Sequence, residues 1–124
     1  MVALRSETKS ADELIVAKAL THAAHYWGLS NKQLGAIIGL SEPSVSRLKN
    51  PNPPLKKNDK SWQLAVMFLR IFRGLDAYMG GHIDNEKLWL RSNNSALGGV
   101  PLELMSNVEG LAHILQYMDY MRGK

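Results

Sequence analysis

The sequence contains no cysteine, which rules out a disulfide framework and a thiolate zinc site and is compatible with a reducing compartment. No apolar run approaches the roughly 20 residues of a membrane span. The opening stretch from Met1 to Lys9 has neither a long apolar core nor a cleavage pattern, so no signal peptide and a cytoplasmic location are expected. Sustained period-two alternation is missing and β-branched clusters are few, which argues against a sheet. Catalytic signatures are missing too. Gly98-Gly99 is not followed by the Lys-Ser/Thr of a phosphate loop, and no Gly-x-Ser-x-Gly occurs. His22 and His25 stand three apart on a helix, but no cysteine or carboxylate nearby completes a metal site, and His82 and His113 are isolated. A helix break separates Glu103 from Glu109, so they do not suggest a paired acid and base. The expectation is a chain that is no enzyme and needs neither cofactor nor metal.

The charge is unevenly placed. Residues 1–60 hold nine Lys/Arg against five Asp/Glu, whereas residues 61–124 hold six of each, so the whole net charge of +4 lies in the first half. Arg47, Lys49, Lys56, Lys57 and Lys60 lie close together, opposed only by Asp59, and such a cluster favours phosphate contact.

Helical periodicity fills the remainder, and the fold class expected is all-α. Ala11–Trp27 places Ile15, Val16, Ala19, Leu20, Ala23, Ala24, Tyr26 and Trp27 on one wide face, with Lys18, Thr21, His22 and His25 opposite. Ser30 and Gln33 read as a capping box opening a second helix, which Gly39 ends. Ser41 caps a third, with Glu42 and Pro43 in its first turn, running through Val45 and Leu48. The Pro-rich stretch Asn50–Pro54 ends that helix and marks a boundary between a DNA-binding domain at 1–60 and a helical domain at 61–124. Ser61–Met79 carries one apolar face of Leu64, Phe68, Ile71, Phe72 and Leu75, and a second of Trp62, Val66 and Leu69. A helix apolar on two sides is either central in the fold or in contact with another chain. A short helix follows from Asp84, another from Pro101, and a last one over about Val108–Arg122, capped by Asn107.

The unit Ser30–Asn50 has helix-turn-helix form: two short helices joined by Gly39-Leu40-Ser41. The run Leu34–Arg47 resembles the Xre/phage-repressor helix-turn-helix family. That resemblance implies packing roles for Ala36, Ile37, Leu40, Val45 and Leu48, and a DNA-facing set of Gln33, Glu42, Pro43, Ser46 and Arg47. Arg47 can hold guanine or a phosphate, and Gln33, Ser44 and Ser46 can bond phosphates or base edges. Lys49 adds a phosphate contact from the basic cluster. Glu42 departs from this chemistry, since a carboxylate accepts only from a cytosine amino group. Few strong base readers remain, so modest affinity per subunit, strong salt dependence and a need for dimerisation are expected.

Trp89–Met105 reads as a helix end, a turn and a proline-started helix. Asn93 and Asn94 tolerate left-handed backbone, Gly98-Gly99 admits positive φ, and Pro101 suits a first helical turn. Trp89, Leu97, Gly98, Gly99 and Pro101 also carry a resemblance to the toxin-binding domain of Xre/MbcA/ParS-type antitoxins. On the last helix and tail, Tyr117, Tyr120, Met121, Arg122 and Lys124 combine residue types favoured as protein–protein anchors, and are the expected direct contacts with a toxin.

With the helix-turn-helix ahead of this domain, the order resembles the antitoxins of RES–Xre modules. The resemblance implies an antitoxin of a type II toxin–antitoxin system. Its partner would be a RES-domain toxin that consumes NAD⁺, neutralised by occlusion of the active site. It further implies a dimer that binds and represses its own promoter. A mobile tail at residues 119–124 could enter the toxin pocket. The alternative is a stand-alone dimeric repressor without a toxin.

Overall fold

The computed structural model describes residues 10–123. Among them are seven α-helices, one turn of 3₁₀ helix and no strand: α1 Ala11–Trp27, α2 Asn31–Ile38, α3 Glu42–Ser46 with the 3₁₀ turn Arg47–Lys49, α4 Lys60–Tyr78, α5 Ile83–Arg91, α6 Pro101–Leu104 and α7 Val108–Gly123. No helix in this range is long and apolar enough to cross a membrane.

Local chemistry sets the helix ends. Ser10 and Glu13 form a reciprocal capping box at α1, and Ser30 and Gln33 form another at α2. Ser41 Oγ accepts from the Ser44 N–H at 3.3 Å to start α3. Asn107 Oδ1 accepts from the Gly110 N–H at 3.0 Å to start α7. Gly28 and Gly39, at φ +71° and +76°, terminate α1 and α2 in the left-handed region that L side chains avoid.

Helix α4 is the axis of the molecule. It packs on α1 and α2 on one side and most extensively on α7 on another, with α5 across its C-terminal end. The two-sided apolar pattern is thereby explained by centrality: Leu64, Ala65, Phe68, Ile71 and Leu75 are buried, and Trp62 and Leu69 are half-buried against the same core. Trp27 lies edge-on to Phe68 at 5.6 Å between centroids and tilts onto Phe72 at 4.9 Å, tying α1 to α4. Fully burying a side chain of this size contributes about 1.5–3 kcal/mol. One continuous core runs from Leu20 and Ile38 to Met105, Ile114 and Met118.

Several local expectations are corrected. Ile15, placed on the core face of α1, is 64% exposed, and Ala17 takes the buried position instead. The connection at 51–60 is not merely polar: Leu55 is fully buried, and Lys57 is tied to α1 by an ion pair to Asp12 at 2.8 Å and a backbone N–H donated to Glu13. Lys57 is thus neutralised within the basic cluster. Only glycines adopt positive φ among the described residues, so α5 ends without a left-handed asparagine, in an extended Ser92.

A buried acidic group crosses the core. Glu86 of α5 has no accessible surface, and its Oε1 accepts from the indole N–H of Trp27 at 2.9 Å. Its Oε2 and Oδ1 of Asp76 are buried without a hydrogen-bond partner. A proton held between the two carboxyls satisfies both oxygens. Burial, then the hydrogen bond to Asp76, pushes Glu86 up to about 7, against the opposing pull of the indole N–H.

Candidate DNA-reading and toxin-binding surfaces

The first surface is the α2–turn–α3 unit. Its turn closes on Gly35, whose carbonyl accepts from the N–H groups of Gly39 at 2.8 Å and Leu40 at 3.0 Å. A Cβ at Gly35 would collide with the Leu40 carbonyl oxygen, so the turn demands glycine there for space rather than for φ. Ile37, Val45 and Leu48 are buried and Leu40 is half-buried, as packing positions should be. Ala36 is not one of them. It is exposed and, with Gln33, borders a cleft of about 410 Å³ shared with Arg91 and Glu103.

The structure places Gln33, Glu42, Pro43, Ser46, Arg47 and Lys49 on the exposed surface of this unit, with Ser44 half-buried. Three of them are already engaged, among them Ser44, whose Oγ accepts from Ser41 Oγ at 3.1 Å and from Arg47. Gln33 Oε1 accepts from the Ser30 N–H at 2.9 Å, leaving its amide NH₂ for a ligand. Arg47 Nη2 donates to Ser44 Oγ at 3.3 Å, which steadies the guanidinium beside the start of α3. Arg47 and Lys49 lie in the 3₁₀ turn, beyond the short α3 itself, so both cations are carried at its C-terminal end.

The second surface surrounds the joint between α5 and α6. Asn94 organises it: its carbonyl accepts from Leu97, Gly98 and Gly99 in turn, and its own N–H donates to the Gly99 carbonyl at 2.8 Å. Gly98 alone has positive φ, at +83°. At Gly99 a Cβ would stand 3.3 Å from the Leu104 side chain, a tight contact that a small shift of Leu104 relieves. Leu97 and Pro101 are buried and Trp89 is half-buried, so these three build the joint. Arg91, missed in the sequence, donates to the Trp27 carbonyl at 2.9 Å and the Gly28 carbonyl at 3.3 Å. It thereby satisfies the free carbonyls at the end of α1 and locks α5 to it. Gly110 lets α7 start close beneath α6, since a Cβ there would strike the Leu104 carbonyl oxygen.

The end of the chain differs from the expected mobile tail. Residues 119–123 continue α7, and Asp119 pairs with Arg70 of α4 at 3.3 Å. Arg122 lies across α4 where Gly74 leaves room for its stem. Tyr120 is 68% exposed, and Tyr117 and Met121 are half-buried. Lys124 lies outside the described residues.

The structure brings Trp89 together with residues not singled out in the sequence. Met79, Asn85, Leu88, Trp89 and Ser92 line a shallow hollow of about 460 Å³. Leu88 stands 66% exposed at this hollow, an apolar outcrop, and Tyr78, next to Met79 in the chain, is 52% exposed. Leu88 could have been found: Ile83, Glu86 and Leu90 fill the inner face of α5, which leaves Leu88 outward. Among the described residues, no group of three potential metal ligands occurs.

These two surfaces coincide with two known domains. Residues 10–70 match the antitoxin Xre-like helix-turn-helix domain. Residues 75–124 match the antitoxin Xre/MbcA/ParS C-terminal toxin-binding domain. No curated protein matches the chain in sequence. An exposed reading unit, a glycine-closed joint beside an apolar outcrop, and both matches in this order make the chain a member of the Xre-type antitoxin family, with a DNA-binding-type helix-turn-helix followed by a toxin-binding domain.

Proposed function

We propose that this antitoxin neutralises a RES-domain toxin by covering its NAD⁺ pocket, without chemistry of its own, and that as a dimer it represses its own promoter. The order of its two domains, as in the antitoxins of RES–Xre modules, supports the RES assignment. The observation that carries the toxin contact is the hollow formed by Leu88, Trp89 and Met79, at which Leu88 is 66% exposed. It lies within the toxin-binding match. Truncating apolar anchors of this kind at an interface centre costs about 2 kcal/mol or more. The end of α7 crosses α4 at Gly74, one turn before Tyr78, so Tyr120, Met121 and Arg122 form a second contact edge, presented by a helix rather than by a loose tail.

Promoter binding rests on the exposed Arg47 and Lys49, with Gln33, Ser44 and Ser46 as weaker contacts and Glu42 as a carboxylate that repels most sequences. Pro43 contributes shape but no N–H. So short a contact list fits a two-fold site read by a dimer. Val66, half-buried on α4 and outside the core cluster, suits the dimer contact.

The test uses the full chain, because α4 belongs to the core of both halves. Co-expression with the product of the adjacent gene should yield a stable complex and restore cellular NAD⁺. Leu88→Asp should lose both effects and keep promoter binding. A chain that binds its promoter, forms no complex and leaves NAD⁺ depleted would instead be a stand-alone repressor.

A further inference from the structure

A groove runs along the outer side of α1, between that helix and the segment that follows the 3₁₀ turn. Its volume is about 530 Å³, within the span usual for small-molecule sites, roughly 300–1,000 Å³. Leu14, Ala17, Leu48 and Pro53 form an apolar floor. Lys18, His25 and Lys49 stand around it, and among the described residues no carboxylate lines it.

Among the described residues the charge of this rim is uncompensated. The side chains of Lys18 and Lys49 make no ion pair or hydrogen bond among the described residues. The acids of α1 are engaged elsewhere: Asp12 pairs with Lys57, and Glu13 accepts from the Ser10 and Lys57 N–H groups. His22, at the edge, is held against Tyr26 by ring stacking at 5.9 Å. A smaller hollow of about 290 Å³ shares Thr21, His25, Leu48 and Lys49 with the groove and extends to Asn31 and Val45 of the helix-turn-helix.

We infer that this groove is a binding site for an amphipathic carboxylate, a small molecule with an apolar body and one anionic end. The apolar floor takes the body by the ordinary transfer of apolar area from water. The carboxylate then sits between the ammonium groups of Lys18 and Lys49, where charge-assisted hydrogen bonds orient it. A neutral ligand of the same length lacks that second contribution, and a cationic one is repelled.

The location gives the site a consequence for regulation. Lys49 belongs both to the groove and to the cationic end of the reading unit. A carboxylate held by Lys49 removes one phosphate contact and adds a negative charge beside the duplex, so occupancy weakens promoter binding. This second half rests on the promoter-binding role proposed above; the binding site itself does not.

The probe is sodium decanoate below its micellar concentration, titrated into the full-length protein and followed by the methyl resonances of Leu14, Ala17 and Leu48. Decyltrimethylammonium is the control of opposite charge. Saturable shifts at those methyls are expected, at least tenfold tighter for decanoate than for the cation. Lys18→Glu should weaken decanoate binding at least tenfold while the protein keeps its promoter affinity. Shifts centred on Leu88 instead, equal affinity for both amphiphiles, or no effect of Lys18→Glu would each overturn the site. In a parallel anisotropy titration decanoate should raise the apparent Kd for promoter DNA several-fold, and less so in Lys18→Glu. Groove binding that leaves promoter affinity unchanged would overturn the regulatory half. A protein that binds decanoate but no promoter would refute the proposed DNA role and leave the site standing.

Discussion

Replacing Glu86 by glutamine should make the protein relatively more stable as pH rises. Glu86 is buried against Trp27 and Asp76, and its carboxyl is held near 7 rather than at its ordinary 4.5. Between those values the folded state binds a proton that the unfolded state has released, so stability falls with rising pH across the window. The penalty is complete above about pH 7 and absent below about 4.5. A displacement of this size corresponds to about 3 kcal/mol at roughly 1.36 kcal/mol per pH unit. Glutamine mimics the protonated acid: its carbonyl can accept from the indole, and its NH₂ can donate to Asp76. Urea unfolding of the wild type and Glu86→Gln at pH 5 and pH 8 reads the effect through tryptophan fluorescence. The wild type should lose stability between the two pH values relative to the variant, by roughly that amount. Titrating groups far from Glu86 cancel in the difference, whereas Asp76, its partner, contributes to the gap together with Glu86. If the gap between the two proteins is the same at both pH values, the buried-acid argument is wrong.

Gly35→Ala should destabilise the protein by about 1–3 kcal/mol, seen as a lowered Tm, because the Leu40 carbonyl must move and the turn must open. Gly98→Ala should cost about 1 kcal/mol by forcing a side chain into the left-handed region, with no steric clash to add to it. Reversing charge at Arg47 and Lys49 should weaken promoter binding and flatten its dependence on salt by about two phosphate contacts, measured by anisotropy across a salt series. Leu88→Asp should abolish co-purification with the toxin while leaving unfolding stability within about 0.5 kcal/mol of wild type, since an exposed side chain is being replaced.

Local signals were legible wherever the chemistry is local. Ser30 with Gln33, Ser41, Asn107, Gly39 and Pro101 each act within a few residues, and helix boundaries read from them fall within one or two residues of those observed, the short α3 excepted. What could not be read depends on partners far along the chain. Arg91 meets the end of α1 more than sixty residues away, and Glu86 meets Trp27 at a comparable separation. Periodicity placed Ile15 inside because it counts apolar residues without knowing where the covering helix ends. The glycines at 35 and 110 are required by close packing against backbone, which leaves no trace in turn propensity. Asn94 was singled out for its backbone freedom, whereas it works through hydrogen bonds accepted by its carbonyl and by its side-chain Oδ1, the latter from the Leu97 N–H at 3.2 Å. The toxin contact proposed for Leu88 is the least legible, since an outward Leu88 looks in sequence like one more apolar residue on a helix.

Helix α4 runs without a break through the point where the first matched domain ends and the second begins, residues 70 and 75. Its nineteen residues form a strut of about 28 Å. A rod of that kind has no hinge, so a toxin seated on Leu88 and Trp89 is carried at one fixed azimuth relative to the reading unit. Neighbouring complexes on adjacent half-sites would then present their toxins in phase with the DNA helix. Operator spacing would decide whether those toxins face each other or point apart.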